Sequence, residues 1–317
     1  MGEPTTTLAA PFILDAPYAD RDAVRALVHG GGPYPLMWSA SGYSMMSPAH
    51  VEPWFRAHWA LDGRVAAPEH DADGAIASLL RHEPFVDAAR RLFGAEVVRP
   101  STLLLNLMGP MAAGRPHVDT PEFRGIERRE VPIWLLVTMG ASGLFDRWQL
   151  RVAGALTWFY DGDDGDYEYW PAGLGQPSRS ARGPFGHVAL IGDNNRMHHR
   201  VGAIGDAGAF ARRATVDLGS VIARTAHGWE IRNRTSPDVA LDERDIRISI
   251  LWKAVVFADD REAQVFDRHE DDLDVPTVVA IFRRDLAGRG IDVAEPADPF
   301  TDAAWARALT DVYMAGY

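Results

Sequence analysis

The chain has 317 residues, 47% of them apolar, a formal net charge of −12 and no cysteine. That length suits one large domain or two small ones, and the apolar share supports a sizeable core. The missing cysteine excludes disulfides, thiolate zinc sites, iron–sulfur clusters and cysteine nucleophiles, and the acidic balance argues against a nucleic-acid partner, which would want a basic surface.

The chain opens on MGEPTTTLAAPFILDAP, which has neither the basic patch nor the apolar run of a signal peptide. Residues 1–96 are expected to be mainly helical. Ser47-Pro48 reads as an N-cap followed by proline at the first helical position. Val51, Trp54, Phe55, His58 and Trp59 then recur at helical spacing. A second helix over 72–81 carries Ala75, Ile76, Leu79 and Leu80. A third over 84–93 carries Phe85, Val86, Ala89, Leu92 and Phe93, and Gly94 is placed to stop it.

Residues 97–257 read as β. Runs rich in Val, Leu, Ile, Trp and Tyr alternate with Gly, Pro and Asp clusters. The candidate strands are 97–108, 117–120, 133–139, 150–159, 167–170, 187–191, 198–203 and 246–257. Many short strands with turn signals suggest a sandwich or barrel. The piece 204–245 is too long for a plain loop and is an insertion, with its own candidate strands at 213–218 and 229–232. It either covers the mouth of a site or decorates the fold. The tail, 258–317, returns to helix. Pro276 opens one helix, stopped by Gly288. Thr301 is expected to cap the last, with Phe300 and Trp305 as a hydrophobic staple. The longest apolar run, 131–145, contains Pro132, Gly140 and Gly143 and is too short to span a bilayer. The expectation is one soluble, cytoplasmic domain over 1–317 with no membrane partner. Whether it forms a homo-oligomer is left open.

The chemistry concentrates at His117-Val118-Asp119, answered eighty positions later by His198-His199. Two histidines and one carboxylate are the ligand set of a mononuclear non-haem iron(II) site with open positions. On a strand, residues two apart face the same way, about 7 Å apart, so His117 and Asp119 can converge on one ion. The third ligand must come from the second segment, where only one of two neighbouring histidines can point inward. The bland alternative is a hydrogen-bonded surface pair in the turn after Gly114-Arg115-Pro116. The apolar strands on either side favour the metal.

The order His-X-Asp, distal histidine, then Arg247-Ile248-Ser249 on the last strand resembles the iron(II)/2-oxoglutarate-dependent oxygenases. The segment Asn106-Leu-Met-Gly-Pro before the first ligand is also similar to some members. The resemblance covers about 97–257 and implies an α+β chain with a double-stranded β-helix (jelly-roll, cupin-like) core. It implies His117, Asp119 and His199 as ligands to Fe(2+), with 2-oxoglutarate as cosubstrate. Arg247, Ser249 and Asn106 would be its contacts, and dioxygen the second cosubstrate. His199-Arg200-Val201 looks more like the family's distal-ligand segment than His198 does. The chain departs from the family in the 48 positions between His199 and Arg247. Arg213, fourteen positions after His199, is the alternative cosubstrate arginine.

The resemblance implies hydroxylation, desaturation or cyclisation of a small or medium organic molecule. The other readings are a cupin-like metal-dependent isomerase or lyase that does not use 2-oxoglutarate, and a non-catalytic binding protein of the same fold. Arg115, Arg124, Arg128 and Arg129 lie near the first ligands and could meet an acidic substrate group, although such arginines are commonly just solvated. No Gly-X-Ser-X-Gly elbow or phosphate-binding loop is present. The run Asp161–Asp166 has its glycine misplaced for an EF-hand and reads as a solvated turn.

Overall fold

The computed structural model describes residues 9–37, 51–71 and 73–314. The first part contains strand β1 (Phe12–Asp15), helix α1 (Arg21–Gly30), β2 (Tyr34–Pro35), β3 (Trp54–Leu61), β4 (Arg64–Val65), α2 (Ala75–Leu80) and α3 (Glu83–Phe93). Then come β5 (Val97–Met108), α4 (Ile133–Ser142), β6 (Arg151–Trp158), β7 (Tyr167–Trp170), β8 (Arg179–Ala181), β9 (Val188–Gly192) and β10 (His198–Val201). The inserted piece holds α5 (Ala207–Arg213), β11 (Val221–Thr225), β12 (Gly228–Arg232) and β13 (Val239–Leu241). The chain closes with β14 (Arg247–Phe257), α6 (Asp260–Asp267), α7 (Val275–Gly288) and α8 (Ala303–Tyr313).

Strand pairing defines the core. A seven-stranded antiparallel sheet runs β1-β9-β6-β14-β5-β3-β4, and a three-stranded sheet runs β10-β7-β8. The segment 111–119 joins the small sheet through bridges Met111–Ile204 and His117–His199 and a bond from Gly114 N to Val201 O. From β5 onward the core strands alternate between sheets, from β5 to 111–119, β6, β7 with β8, β9, β10 and β14. That alternation is a double-stranded β-helix, as the resemblance implies.

Side-chain parity assigns the two faces. On β14, Leu251 enters the cluster inside the barrel with Leu104, Leu156, Trp158, Tyr167, Tyr169 and Leu190. Ile248, Ile250, Trp252, Ala254 and Val256 point the other way, into the largest core, with Leu103, Leu105, Leu107 and the apolar face of α3. All eleven residues of β14 are therefore buried, the pattern of a strand covered on both sides. A register shift between Lys253 and Ala254 falls opposite Pro100, where the missing proline N–H costs no ladder bond.

Several elements differ from the sequence expectation. The helix expected after Ser47-Pro48 is the strand β3 from Trp54 on, paired along β5; Ser47 and Pro48 lie outside the described residues. The strand expected at 133–139 is the helix α4, which carries Leu135, Leu136 and Met139 into a satellite core with Phe282, Trp305 and Leu309 of the tail. The last helix is capped by Asp302, whose carboxylate accepts from Ala304 N and Trp305 N, rather than by Thr301. In the insertion, 213–218 is not a strand. α5 ends at Arg213, and β11, β12 and β13 form a small sheet completed by β2. Its Phe210, Ile222, Trp229, Ile231 and Leu241 pack into the core on the outer face of the large sheet. The insertion is thus anchored behind the barrel wall, and the reading of it as a lid over the mouth is set aside. No helix among the described residues is long and apolar enough to cross a membrane.

Candidate metal centre

The hydrogen-bonded pair His117–His199 builds the site. His117 N donates to His199 O at 3.0 Å, and His199 N returns a bond to His117 O at 2.8 Å. Residues directly opposite in an antiparallel pair project to the same side, so their rings meet, with centroids 4.6 Å apart. Asp119, two residues on, is fixed by its N–H to Asn194 O at 2.8 Å. One ligand atom each from His117, Asp119 and His199 lies within 4.8 Å of the others. The cluster takes His199 and leaves out His198, whose register partner is Trp170 on β7.

Each ring is oriented by its backbone. His117 Nδ1 lies 2.9 Å from Arg115 O, and His199 Nδ1 lies 3.0 Å from Met197 O. A proton on each Nδ1 leaves Nε2 as a bare acceptor facing the carboxylate, the tautomer a metal ligand needs. His117 is exposed at its outer edge, yet enclosure of its ring, and then His199 beside it, pushes its pKa below the usual imidazole range. It is therefore neutral at pH 7. Tyr167 stacks on His199, with centroids 5.4 Å apart, and its hydroxyl reaches Asn194 Oδ1 at 3.1 Å.

Asp119 has a partner not expected from the sequence. Lys253 Nζ lies 2.7 Å from Asp119 Oδ2, while His199 Nε2 lies 3.6 Å from Oδ1. Burial opposes the charge on Asp119, but the Lys253 ammonium outweighs it and holds the carboxyl well below the ordinary carboxylate range. Lys253 also donates to Asn195 Oδ1 at 3.2 Å, and Asn195 Nδ2 donates to Thr120 O at 3.1 Å. The signal was present in the sequence, because Lys253 is the only lysine in the chain.

The remaining candidates share the inward face of β14 and its neighbours. Arg247 is 1% exposed, donates through Nε to Gly165 O at 2.6 Å, and sits over the Phe185 ring at 5.3 Å. Its Nη2 is buried with no hydrogen-bond partner. Burial brings its pKa down to about 10, so it stays a cation at pH 7. Gly165, at φ +66°, allows this approach, since a Cβ there would lie 2.7 Å from Arg247 Cδ. Ser249 is buried and stands opposite Asn106 on β5 and Trp158 on β6. Asn106 Oδ1 accepts from Trp54 Nε1 at 3.0 Å and Arg56 Nε at 3.1 Å. Arg213 is exposed at the end of α5, outside the barrel.

The arginines near the first ligands separate. Arg124 is buried and tied to Asp271 at 2.8 Å. Arg129 faces Asp62 and Glu127. Arg128 reaches Thr120 Oγ1 at 3.4 Å, next to Asp119.

No protein-family model and no curated protein matches the chain. Among solved structures, it is similar to an oxidoreductase of the 2OG-Fe(II) oxygenase family from Burkholderia pseudomallei, at 11% identity over 77% of this chain and 85% of that one, with a TM-score of 0.43. It is also similar to a prolyl hydroxylase from Trichoplax adhaerens in complex with a hypoxia inducible factor peptide fragment, at 10% identity over 81% and 87% and a TM-score of 0.41. A third is HygX from Streptomyces hygroscopicus with nickel and 2-oxoglutarate bound, at 10% identity over 78% and 83% and a TM-score of 0.39. At such scores the likeness carries no functional argument. The fold stands on this chain's own strand pairing, and the function on its own residues.

Proposed function

We propose that the protein is a non-haem iron(II)/2-oxoglutarate-dependent oxygenase acting on a small or medium organic molecule. The observation that carries this reading is the convergence within 4.8 Å of one carboxylate and two imidazoles whose Nδ1 atoms face backbone carbonyls. That donor set fits a divalent iron and leaves positions for other ligands. His117, Asp119 and His199 would hold the ion. The iron, when bound, supplies the oxidising chemistry with dioxygen and 2-oxoglutarate.

The chain's own part is to hold and orient the cosubstrate. A dicarboxylate entering the barrel needs a fixed cation at its far end. Arg247 offers a guanidinium whose terminal Nη2 amino group is buried and unpartnered, and an unmatched buried donor is costly unless a ligand fills it. Ser249, on the same face of β14, and the Nδ2 of Asn106 are further donors nearby. Lys253, the other inward cation of β14, is already committed to Asp119. This division of labour favours Arg247 as the cosubstrate anchor.

The test is 2-oxoglutarate binding to iron(II)-loaded protein without oxygen, followed by succinate release in air. Arg247→Ala should weaken 2-oxoglutarate binding by at least about tenfold, from the loss of a charge-assisted pair. Unchanged binding in that variant, with loss in Lys253→Met instead, would move the anchor to Lys253. Metal uptake without any 2-oxoglutarate binding would favour the isomerase or lyase reading, and no iron uptake would leave a binding protein.

A further inference from the structure

A second cationic feature lies beside the triad and is not consumed by it. β3 presents Arg56 on the inward face, in one cross-strand row with Asn106, Ser249 and Trp158. The guanidinium is held in two ways. Its Nε donates to Asn106 Oδ1, and its plane lies over the Trp54 ring at 4.9 Å. Trp54 Nε1 donates to the same Asn106 oxygen, which locks the stacked pair. Among the described residues, the two terminal amino groups of Arg56 make no hydrogen bond or ion pair. Arg56 lies within electrostatic reach of Asp119, His117 and Arg128. His58, two residues along β3, is in turn within reach of Arg56 and Arg128.

The charge balance makes this cluster informative. Asp119 is neutralised by Lys253 at 2.7 Å and, in a loaded site, by the metal. Asp119 attracts Arg56 through space but forms its ion-pair contact with Lys253 and none with Arg56. Arg128 also forms no ion pair among the described residues; its one bond is to Thr120 Oγ1. The chain carries 44 acidic against 32 basic residues, yet among the described residues these two arginines form no ion pair. A planar fork fixed by stacking, with both terminal amino groups free, is built for bidentate recognition of an oxyanion. Because the fork is already ordered, little entropy is lost when a ligand binds.

We propose that the substrate carries an oxyanion (a carboxylate, sulfate or phosphate group) that Arg56 and Arg128 bind beside the triad. The proposal rests on the oxygenase reading for the word substrate, but the anion site stands on its own residues. Arg56 holds the anion, Arg128 adds charge from the rim, and the attached carbon skeleton is directed toward His117, at the exposed edge of the cluster.

The experiment titrates sodium sulfate into manganese(II)-loaded protein saturated with 2-oxoglutarate, by calorimetry, with sodium chloride at matched ionic strength as reference. Wild type should bind one sulfate. Arg56→Ala should weaken it by at least about tenfold and Arg128→Ala by a smaller factor, as expected when a bidentate partner and a rim charge are removed. Arg56→Lys, which keeps the charge but loses the fork, should fall between wild type and Arg56→Ala. It also keeps the test decisive if the alanine variant misfolds. No sulfate binding by wild type, or wild-type affinity in all three variants, overturns the proposal. If 2-oxoglutarate itself does not bind, the cosubstrate reading fails separately. Sulfate titration in an Arg247→Ala background then still decides the Arg56 site, since the buried guanidinium proposed for the cosubstrate can no longer take the sulfate.

Discussion

The ion pair between Lys253 and Asp119 sets up a trade between folding and metal binding. Lys253→Met keeps most of the side-chain volume and removes the charge. In the metal-free protein this leaves Asp119 charged and, among the described residues, with no cation in ion-pair contact beyond the imidazole of His199, whose Nε2 lies at 3.6 Å. Breaking a buried pair from one side costs about 3–5 kcal/mol. The two side chains are 10% and 20% exposed, so the lower end, about 3 kcal/mol, applies once solvent screening of the carboxylate is allowed for. With a divalent ion bound, the metal replaces the missing cation, and the loss should shrink to below about 1 kcal/mol. The thermodynamic cycle then requires the difference, about 2 kcal/mol, to appear as metal affinity, roughly thirtyfold tighter in the variant. The assay is urea unfolding of both proteins in chelator and in saturating manganese(II), with the metal affinity measured directly. Equal destabilisation in both conditions would refute the reasoning. So would weaker metal binding by the variant, because Lys253 would then act mainly by posing Asp119 as a ligand and not by competing with the ion.

Two more outcomes follow from the geometry. His199→Ala should abolish manganese(II) binding while His198→Ala keeps it, read by the paramagnetic resonance of bound ion; the opposite result would move the ligand by one residue. Asp193 is buried, and burial raises its carboxyl pKa from 3.8 to about 6. The folded state therefore keeps a proton that the unfolded chain has released, and stability falls as pH rises across that window. Asp193→Asn, which retains an acceptor for Asn195 N, should gain about 2–3 kcal/mol near pH 8 and almost nothing near pH 4, measured by urea unfolding in chelator. An equal gain at both pH values would contradict this assignment.

Local signals carried much of the site and little of its surroundings. Strands 97–108 and 246–257 were legible because their apolar residues, turn-bounded ends and length agree on strand, and His-X-Asp needed only a spacing of two. The run Ile133-Trp-Leu-Leu-Val-Thr-Met139 is ambiguous in sequence, because a short apolar stretch fits a buried strand and a buried helix equally. The decisive marks were Pro132 before it and Gly143 after it, which bracket α4. Trp54 to Trp59 shows the reverse error. Its aromatic spacing imitates a helix face, but pairing with β5 imposes a strand, and the shift between His58 and Ala60 brings Phe55 and Trp59 onto the same outer core.

What no spacing could reveal is register. Parity along β14 already puts positions 247, 249, 251 and 253 on one face, so both cations of that strand were assignable to the barrel interior. Which of them is spent and which is available depends on what stands across the barrel. At 253 it is Asp119, delivered by the small sheet, and at 247 it is the carbonyl of Gly165, which satisfies one N–H and leaves another unmatched. Likewise Arg56 and Asn106 lie far apart in the chain and meet only because β3 and β5 pair with those two residues opposite each other. A slip of one residue in that pairing would turn Arg56 out of the site. The chemistry of this centre is therefore written twice: the ligands sit in local motifs, and the charges around them follow from the order in which the strands are joined.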